Sequence, residues 1–310
     1  MSIIQQKIII MFIMIAVGFL CGKVGLIDTD GNKKLSKLSL WLVNPLLTFM
    51  SYQSEYSSEI SKNLLITLGI SVAVFAIQIA VATLTVPKKS KEYAIERLSI
   101  IFSNSGFIGI PLVESVFGKS GVIYLTMFIT VFNILVWTYG VALMTGKVSF
   151  KETLKNLCTP AVISVLLGLI FYFCRITIPD IIAQPLNTVG GMNTPLAMLV
   201  AGSTLAGTNL LKCLKKPRLY FLCAMRLIII PALCCLALFK LTAVGVDPMI
   251  ISIVMIATAC PSATITTMFA HTYGKNSLWA SEIFAVSTLF SVVTIPAVMW
   301  FLELLEGAAA

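Results

Sequence analysis

The stretch "SNSGFIGIP" at residues 103–111 decides the fold, because it interrupts an apolar segment with serine, asparagine, glycine and proline. Glycine permits unwinding or close helix contact, and proline removes a backbone donor. If this segment lies within a bilayer, its irregular backbone must contact protein or water, since an unpaired amide or carbonyl in hydrocarbon costs several kcal/mol. We therefore predict a broken helix at 103–111 rather than a continuous apolar one.

The rest of the chain has the composition of an integral membrane protein. Of its 310 residues 58% are hydrophobic and 11% are charged, whereas roughly a quarter are charged in soluble domains. Apolar segments long enough to cross a bilayer of about 30 Å recur along the whole length, which leaves no room for an ordinary soluble domain. We predict an all-α protein with ten spans, at about 3–21, 38–52, 64–86, 98–118, 122–145, 157–175, 186–206, 219–241, 249–271 and 278–303.

The distribution of positive charge supports this number of spans. Of the 22 Lys and Arg residues, 16 lie in the loops after spans 1, 3, 5, 7 and 9, five lie in the other loops and termini, and Arg226 lies within span 8. Because Lys and Arg accumulate on the cytoplasmic side, we predict a multi-pass protein of the plasma or inner membrane with both termini outside. The net charge of +9 thus belongs to the loops and does not indicate nucleic-acid binding.

The two halves of the chain resemble each other. At an offset of 150, Gly18 falls on Gly168, Asp30 falls on Asp180, and "NPLL" at 44–47 falls on "TPLA" at 194–197. Five spans in each half make the second half enter the membrane from the opposite side, which is typical of secondary transporters. We predict two inverted five-helix repeats, 1–150 and 151–310.

The second half contains a counterpart of the opening stretch, "ACPSATITT" at 259–267. Pairing Pro111 with Pro261 leaves 7 and 13 residues to the next Gly-Lys turn, whereas pairing Asn104 with Ser262 leaves 14 and 12. We prefer the second register. Small residues and a proline kink also serve helix packing alone, but two such stretches in corresponding positions favour a binding site.

Each break exposes half-helix ends, and a helix N-terminus carries about half a positive charge that suits an anion. Hydroxyl and amide side chains add hydrogen bonds. The predicted substrate-binding residues at the crossing of spans 4 and 9 are Ser103, Asn104, Ser105, Gly106, Pro261, Ser262 and Thr264, to which Thr266 can add a hydrogen bond. The predicted helix-break residues are Gly109, Pro111 and Pro261.

These motifs resemble the auxin efflux carrier family, which includes plant auxin carriers and bacterial malate or malonate permeases. The resembling pieces cover both halves: "NPLLTF" at 44–49, "SNSGFIGIPLVESVFGKSG" at 103–121, "TPLAMLVAGSTLA" at 194–206 and the segment 261–296. The short connection between spans 5 and 6 is similar to bacterial members. One departure is Ser103, where plant carriers have a proline before the asparagine that corresponds to Asn104.

The resemblance implies helices 4 and 9 that are broken and cross at mid-membrane. It also implies a scaffold at 1–62 and 151–212, a moving transport part at 63–150 and 213–310, and a homodimer. Relatives carry an organic anion by an elevator-like shift of the transport part.

Other polar residues near span interiors are candidates for coupling or gating. We predict this role for Glu114, Asn44 and His271, although Glu114 and His271 lie close enough to a Gly-Lys turn to reach water by snorkelling. Asn44 and Thr194 precede matched prolines, and they line the route to the crossing or accompany helix distortion.

Three further polar residues have alternative interpretations. Asn133, deep in span 5, is predicted to bind substrate, the alternative being a hydrogen bond between helices. Arg226 is expected to bind a lipid phosphate or to balance a carboxylate, and Glu282 is expected to be interfacial or paired.

No catalytic constellation is present in the sequence. One histidine cannot form an HExxH site, and no phosphate-binding loop is followed by Lys and Ser or Thr. We therefore predict no catalytic residue, metal or cofactor, and a protein that is not an enzyme.

The predicted function is secondary active transport of a small organic anion, a carboxylate such as malate, malonate or an auxin-like acid. The coupling ion is left open between H⁺ and Na⁺. The alternatives are a sodium-coupled symporter of the bile-acid type and a transporter-like membrane sensor that binds a ligand without moving it.

Overall fold

The computed structural model describes residues 3–146, 159–208 and 213–309. Four basic residues counted in the charge bias lie outside these ranges: Lys147, Lys151, Lys155 and Lys212. The predicted boundary at 150/151 also lies outside them, and the predicted boundary at 212/213 falls at the edge of the last range.

Residues 3–146 form seven α-helices: α1 (Ile3–Lys23), α2 (Thr29–Leu38), α3 (Asn44–Ser51), α4 (Ser58–Thr85), α5 (Tyr93–Ile101), α6 (Ile110–Leu135) and α7 (Val141–Thr145). Wider π-helical turns lead into α3, α6 and α7, at Ser39–Val43, Ser105–Gly109 and Val136–Gly140. The helix α6 is bent where Gly118 adopts a φ of +67°, a left-handed conformation that glycine adopts without steric cost.

The later described residues form eight α-helices: α8 (Pro160–Phe173), α9 (Asp180–Gly190), α10 (Asn193–Ala206), α11 (Pro217–Ala224), α12 (Ile230–Leu238), α13 (Pro248–Ala259), α14 (Thr264–Thr272) and α15 (Ser277–Ala309). A π-helical turn at Met225–Ile229 joins α11 to α12. Gly274, between α14 and α15, has a φ of +63° and thus shares the positive φ of Gly118.

Side chains fix the starts of four helices. In each case a side-chain oxygen at the N-cap accepts a hydrogen bond from a backbone amide that has no partner within the helix. The pairs are Asp28 with Gly31, Ser57 with Glu59, Thr159 with Val162 and Asp247 with Met249.

Several helices are suited to a bilayer by length and composition. Four segments in the described residues are long and apolar enough to cross it: Ser58–Thr85, Ser105–Thr145, Pro217–Leu241 and Ser277–Gly307. Three shorter apolar helices accompany them: Ile9–Lys23, Pro160–Phe173 and Pro248–Ala259. The all-helical class is confirmed for the described residues, while the number of ten spans and their inverted arrangement stay predictions.

The outer surface is rich in large apolar side chains. Leu65, Leu84 and Val293 are exposed by 72%, 84% and 72%. Leu65 and Leu84 lie on α4 and Val293 lies on α15, two of the helices long enough to cross a bilayer, so that these side chains are suited to lipid. The interior, by contrast, buries many hydroxyl and amide groups, as expected when the solvent is lipid.

The glycines matched at an offset of 150 both lie at close helix contacts. Gly18 brings α1 against α10, where a Cβ would come within 2.5 Å of the carbonyl oxygen of Leu199. Gly168 brings α8 against the ring of Tyr52, at the end of α3. Helix α1 thus packs on α10 as α8 packs on α3.

Candidate functional site

Two helix interruptions meet in the interior of the molecule. Helix α5 ends at Ile101 and the chain resumes helical structure at Ser105, whereas α13 ends at Ala259 and α14 begins at Thr264. The two extended segments run antiparallel: the amide of Asn104 donates to the carbonyl of Pro261 (2.7 Å), and that of Ala263 donates to Phe102 (2.9 Å). These bonds satisfy backbone groups that no helix satisfies.

The bridge places Ser103 opposite Ser262. This opposition is a spatial contact between the two breaks, and the two registers of the repeat, Asn104 with Ser262 and Pro111 with Pro261, stay predictions. Counting to the next Gly-Lys turn assumed helices of equal length after each break. The first break enters a π-helical turn at Ser105–Gly109, which holds an additional residue per turn, while the second enters α14 directly.

Side-chain atoms without a hydrogen-bond partner are concentrated at these interruptions. Their residues are at most 5% exposed and lie in the breaks or in the adjoining helix turns: Ser99, Ser103, Asn104, Ser105, Thr258, Ser262 and Thr266. Buried polar groups in proteins are normally paired. A cluster of unpaired hydroxyls, with the Nδ2 of Asn104, is therefore a feature that a polar ligand explains.

The helices that begin after the two breaks have no side-chain cap. Asn104 stands at the N-cap position before Ser105, and Ala263 stands before Thr264, and neither position provides a side-chain hydrogen bond. Asparagine is among the preferred N-cap residues because its side-chain oxygen accepts a hydrogen bond from a helix amide. Here that oxygen makes no cap bond, and the side-chain nitrogen of Asn104 is also unpaired. The free amides and positive ends of both helices thus remain available at the crossing.

The two glycines after the first break have different surroundings. No atom lies within 4 Å of the place where a side chain of Gly106 would begin, and the residue is partly exposed. A Cβ at Gly109, by contrast, would stand 3.5 Å from the Sγ of Cys260. Gly109 therefore packs the first break against the second, while Gly106 borders open space.

Arg226 forms hydrogen bonds with residues at both breaks. It is 1% exposed. Its hydrogen bonds within the described residues all go to backbone carbonyls: Ile100 (2.9 Å), Ile101 (3.3 Å), Thr258 (2.5 Å) and Cys260 (3.1 Å). The expectation of a lipid phosphate or a carboxylate as its partner is wrong. Glu282, in contrast, is paired as expected, with Lys216 at 2.6 Å.

The matched residues before the scaffold prolines both contact the predicted transport part. The Nδ2 of Asn44 donates to the carbonyl of Gly106 (3.2 Å), and the hydroxyl of Thr194 donates to Glu114 (3.1 Å). Asn193 is fully buried beside Thr194, and neither its side-chain oxygen nor its nitrogen has a partner. Asn193 was not predicted from the sequence, although an amide beside a matched proline motif was a usable signal.

Other predicted site residues make no hydrogen bond of the bridge, although Thr264 directly follows it. Thr264 is half-buried at the first position of α14, and His271 is exposed near the end of that helix, about 10 Å further along at 1.5 Å per residue. Asn133 is half-buried in α6 and has no hydrogen bond to either break in the described residues. Pro111 is buried in the first turn of α6.

The described residues contain no group of three or more His, Cys, Asp or Glu that could hold a metal ion. An apolar groove of about 660 Å³ lies away from the breaks, between the segment 220–228 and α15. Its lining carries no charged residue.

Broken apolar helices that meet around unpaired polar groups define a multi-pass membrane transport protein. The comparison with known proteins agrees: the family described as "Membrane transport protein" matches residues 3–149 and 144–299. The chain belongs to this family, that of the auxin efflux carriers. It is also similar to an uncharacterized transporter of Methanocaldococcus jannaschii, with 25% identity over 315 aligned positions that cover 96% of this chain and 98% of the relative.

Proposed function

We propose that the protein is a secondary transporter of a small organic anion, bound as a carboxylate at the crossing of the two breaks. The observation that carries the proposal is the pair of uncapped helix starts at Ser105 and Thr264, beside buried and unpaired polar atoms. Amides and hydroxyls there are hydrogen-bond donors, and the nearby helix ends add positive potential. Asn104, Ser103, Ser105 and Ser262 are the primary ligands.

The proposed architecture is ten spans in two inverted five-helix repeats. Its support is the reciprocal packing of α1 on α10 and α8 on α3. The protein then lies in the plasma or inner membrane with both termini outside, and it forms a homodimer as its relatives do.

The proposed movement is an elevator-like shift of 63–150 and 213–310 against 1–62 and 151–212. Four side-chain hydrogen bonds cross this division: Asn44 to Gly106, Thr194 to Glu114, Lys119 to Asn187, and the hydroxyl pair of Tyr52 and Thr126. Each contributes on the order of 1 kcal/mol, so that the interface can break and re-form during transport. Asn44 and Glu114 therefore act as gating residues in this proposal.

The test is uptake of labelled malate, malonate and indole-3-acetate into proteoliposomes. We expect Asn104→Ala to lower uptake of the carried anion at least tenfold, because a donor to a charged ligand is worth about 1.5–3 kcal/mol. Asn63→Ala is the matched control, since Asn63 is similarly buried but lies near the start of α4. Unchanged uptake of every carried anion in Asn104→Ala would remove this residue from the site.

Coupling to Na⁺ is a second candidate, because hydroxyl and carbonyl oxygens are suitable cation ligands and Ser105, Ser262 and Thr266 have unpaired hydroxyls. Replacing Na⁺ by choline in the same assay separates the possibilities. Uptake that persists in choline dismisses the sodium symporter and favours H⁺ or the membrane potential. Ligand binding without any flux would instead indicate a sensor.

A further inference from the structure

Arg226 is a buried cation whose partners all lie in or directly after the last turns of two helices. The carbonyls of Ile100 and Ile101 belong to the end of α5, and those of Thr258 and Cys260 belong to the end of α13. No acidic residue pairs with it within the described residues. A buried charge is costly unless it is compensated.

The compensation comes from helix dipoles. Each helix C-terminus carries about half a negative charge, so the ends of α5 and α13 together supply about one, which matches the single positive charge of the guanidinium. Arg226 also bonds both ends at once. The side chain of Arg226 therefore joins the two breaks. The backbone bridge between Ser103 and Ser262 joins the same two breaks.

We propose that Arg226 is a positioning residue for the anion site, and this proposal rests on the proposed function. It holds the two breaks in register and cancels the negative ends of α5 and α13. The positive ends of the helices that start at Ser105 and Thr264 then act on the ligand without opposition from the helices before the breaks.

This charge balance also specifies the ligand. Two helix N-termini offer about one positive charge in total, which is balanced by one carboxylate. The site therefore engages a single carboxylate group, and a second carboxylate on a larger substrate is not held by the helix ends.

Arg97 offers a matched control for Arg226. It is also buried, at 4% exposure, and donates to the carbonyls of Val86 (2.8 Å) and Thr83 (3.2 Å). Both acceptors lie at the end of one helix, α4, and neither belongs to a break.

The experiment combines amide hydrogen exchange with uptake of indole-3-acetate, which has one carboxylate, and malonate, which has two. The full-length variants are Arg226→Gln, Arg226→Lys and Arg97→Gln. We expect Arg226→Gln to accelerate exchange at both 100–105 and 259–264 and to raise KM at least tenfold. A change of this size is expected for a unit charge about 10 Å away at an effective dielectric constant of about 20.

Arg226→Lys separates charge from geometry. Its ammonium keeps the charge but cannot reach four carbonyls, so we expect faster exchange with KM within about threefold of the wild type. Arg97→Gln is expected to leave both break segments and KM unchanged. Charge balance further predicts that losing Arg226 raises KM by similar factors for the two anions, because each uses one carboxylate.

Three results would overturn the proposal. They are unchanged exchange at either break in Arg226→Gln, an equal rise of KM in the Lys and Gln variants, and a much larger rise for malonate than for indole-3-acetate. If Arg226→Gln does not fold, a tenfold rise of KM in Arg226→Lys overturns it instead. If the wild type carries neither anion, the proposed function fails for these substrates, while the exchange data still test whether Arg226 ties the breaks.

Discussion

At the residue scale, Gly106 borders the space beside the first break, and its carbonyl receives a hydrogen bond from Asn44. The absence of a side chain therefore keeps the approach to Asn104 open. Gly109, one helical turn later, is needed for packing against Cys260. Two glycines in one short motif thus have separate tasks.

We expect Gly106→Leu to fold normally and to lose most of its uptake, because the new side chain enters open space next to the proposed ligand. Thermal unfolding and proteoliposome uptake measure the two effects. Gly69→Leu is the control, since Gly69 also has no neighbour within 4 Å but lies exposed on α4. Normal uptake by Gly106→Leu would show that the anion does not approach from this side.

Residue types alone could not reveal the role of Arg226. Its partners are backbone carbonyls at positions 100, 101, 258 and 260, and any residue type provides a carbonyl. Its position in an apolar span, with no acidic residue nearby in the sequence, was the available signal. Asn104 was predictable because an amide beside serines and glycines in an apolar segment requires a partner.

At the scale of secondary-structure elements, the crossing depends on helices that end and restart. The breaks themselves follow from "SNSGFIGIP" and "ACPSATITT", whose small and polar residues disfavour a continuous helix in lipid. The exact register of the two breaks does not follow from the sequence, because the π-helical turn at Ser105–Gly109 has no distinctive pattern of residues. The contact of Thr194 with Glu114 likewise depends on how α10 packs on α6.

We expect Thr194→Val to change the rate of transport rather than the affinity. The substitution removes the hydrogen bond between α10 and Glu114 but keeps the size of the side chain. If leaving this conformation limits the rate, losing about 1 kcal/mol of stabilisation raises the maximal rate up to about fivefold, with KM within about twofold.

Thr188→Val is the control for this experiment, because the Thr188 hydroxyl is exposed and bonds within its own helix, to Gln184. Initial-rate measurements over a range of substrate concentrations separate the two parameters. A tenfold change of KM in Thr194→Val would place Thr194 at the ligand instead of at the moving interface.

At the scale of the whole molecule, composition and motif were sufficient for the class and the family. The apolar exterior, with residues such as Leu84 exposed by 84%, is the structural counterpart of the 58% hydrophobic content. Orientation in the membrane depends on the loop charges alone, since helices of either orientation have the same internal contacts. Ten spans and outward-facing termini therefore require a direct measurement.

Cys174 provides this measurement without an introduced label. It is exposed after α8, in a loop that the charge bias assigns to the outside. We expect a membrane-impermeant maleimide to label intact cells that express the wild type but not Cys174→Ser. The substitution Lys89→Cys in the Cys174→Ser background, in a loop assigned to the cytoplasm, should give labelling only after permeabilisation. The reverse pattern would invert the topology.

The bridge between the two breaks has a consequence for how such a protein can diversify. The bonds from Asn104 to Pro261 and from Ala263 to Phe102 use only main-chain atoms, so nearly any amino acid at these four positions preserves them. Proline at 104 or 263 is the exception, because it has no amide hydrogen. Evolution is consequently free to exchange the surrounding side chains, and with them the cargo, while the framework that presents them is inherited unchanged.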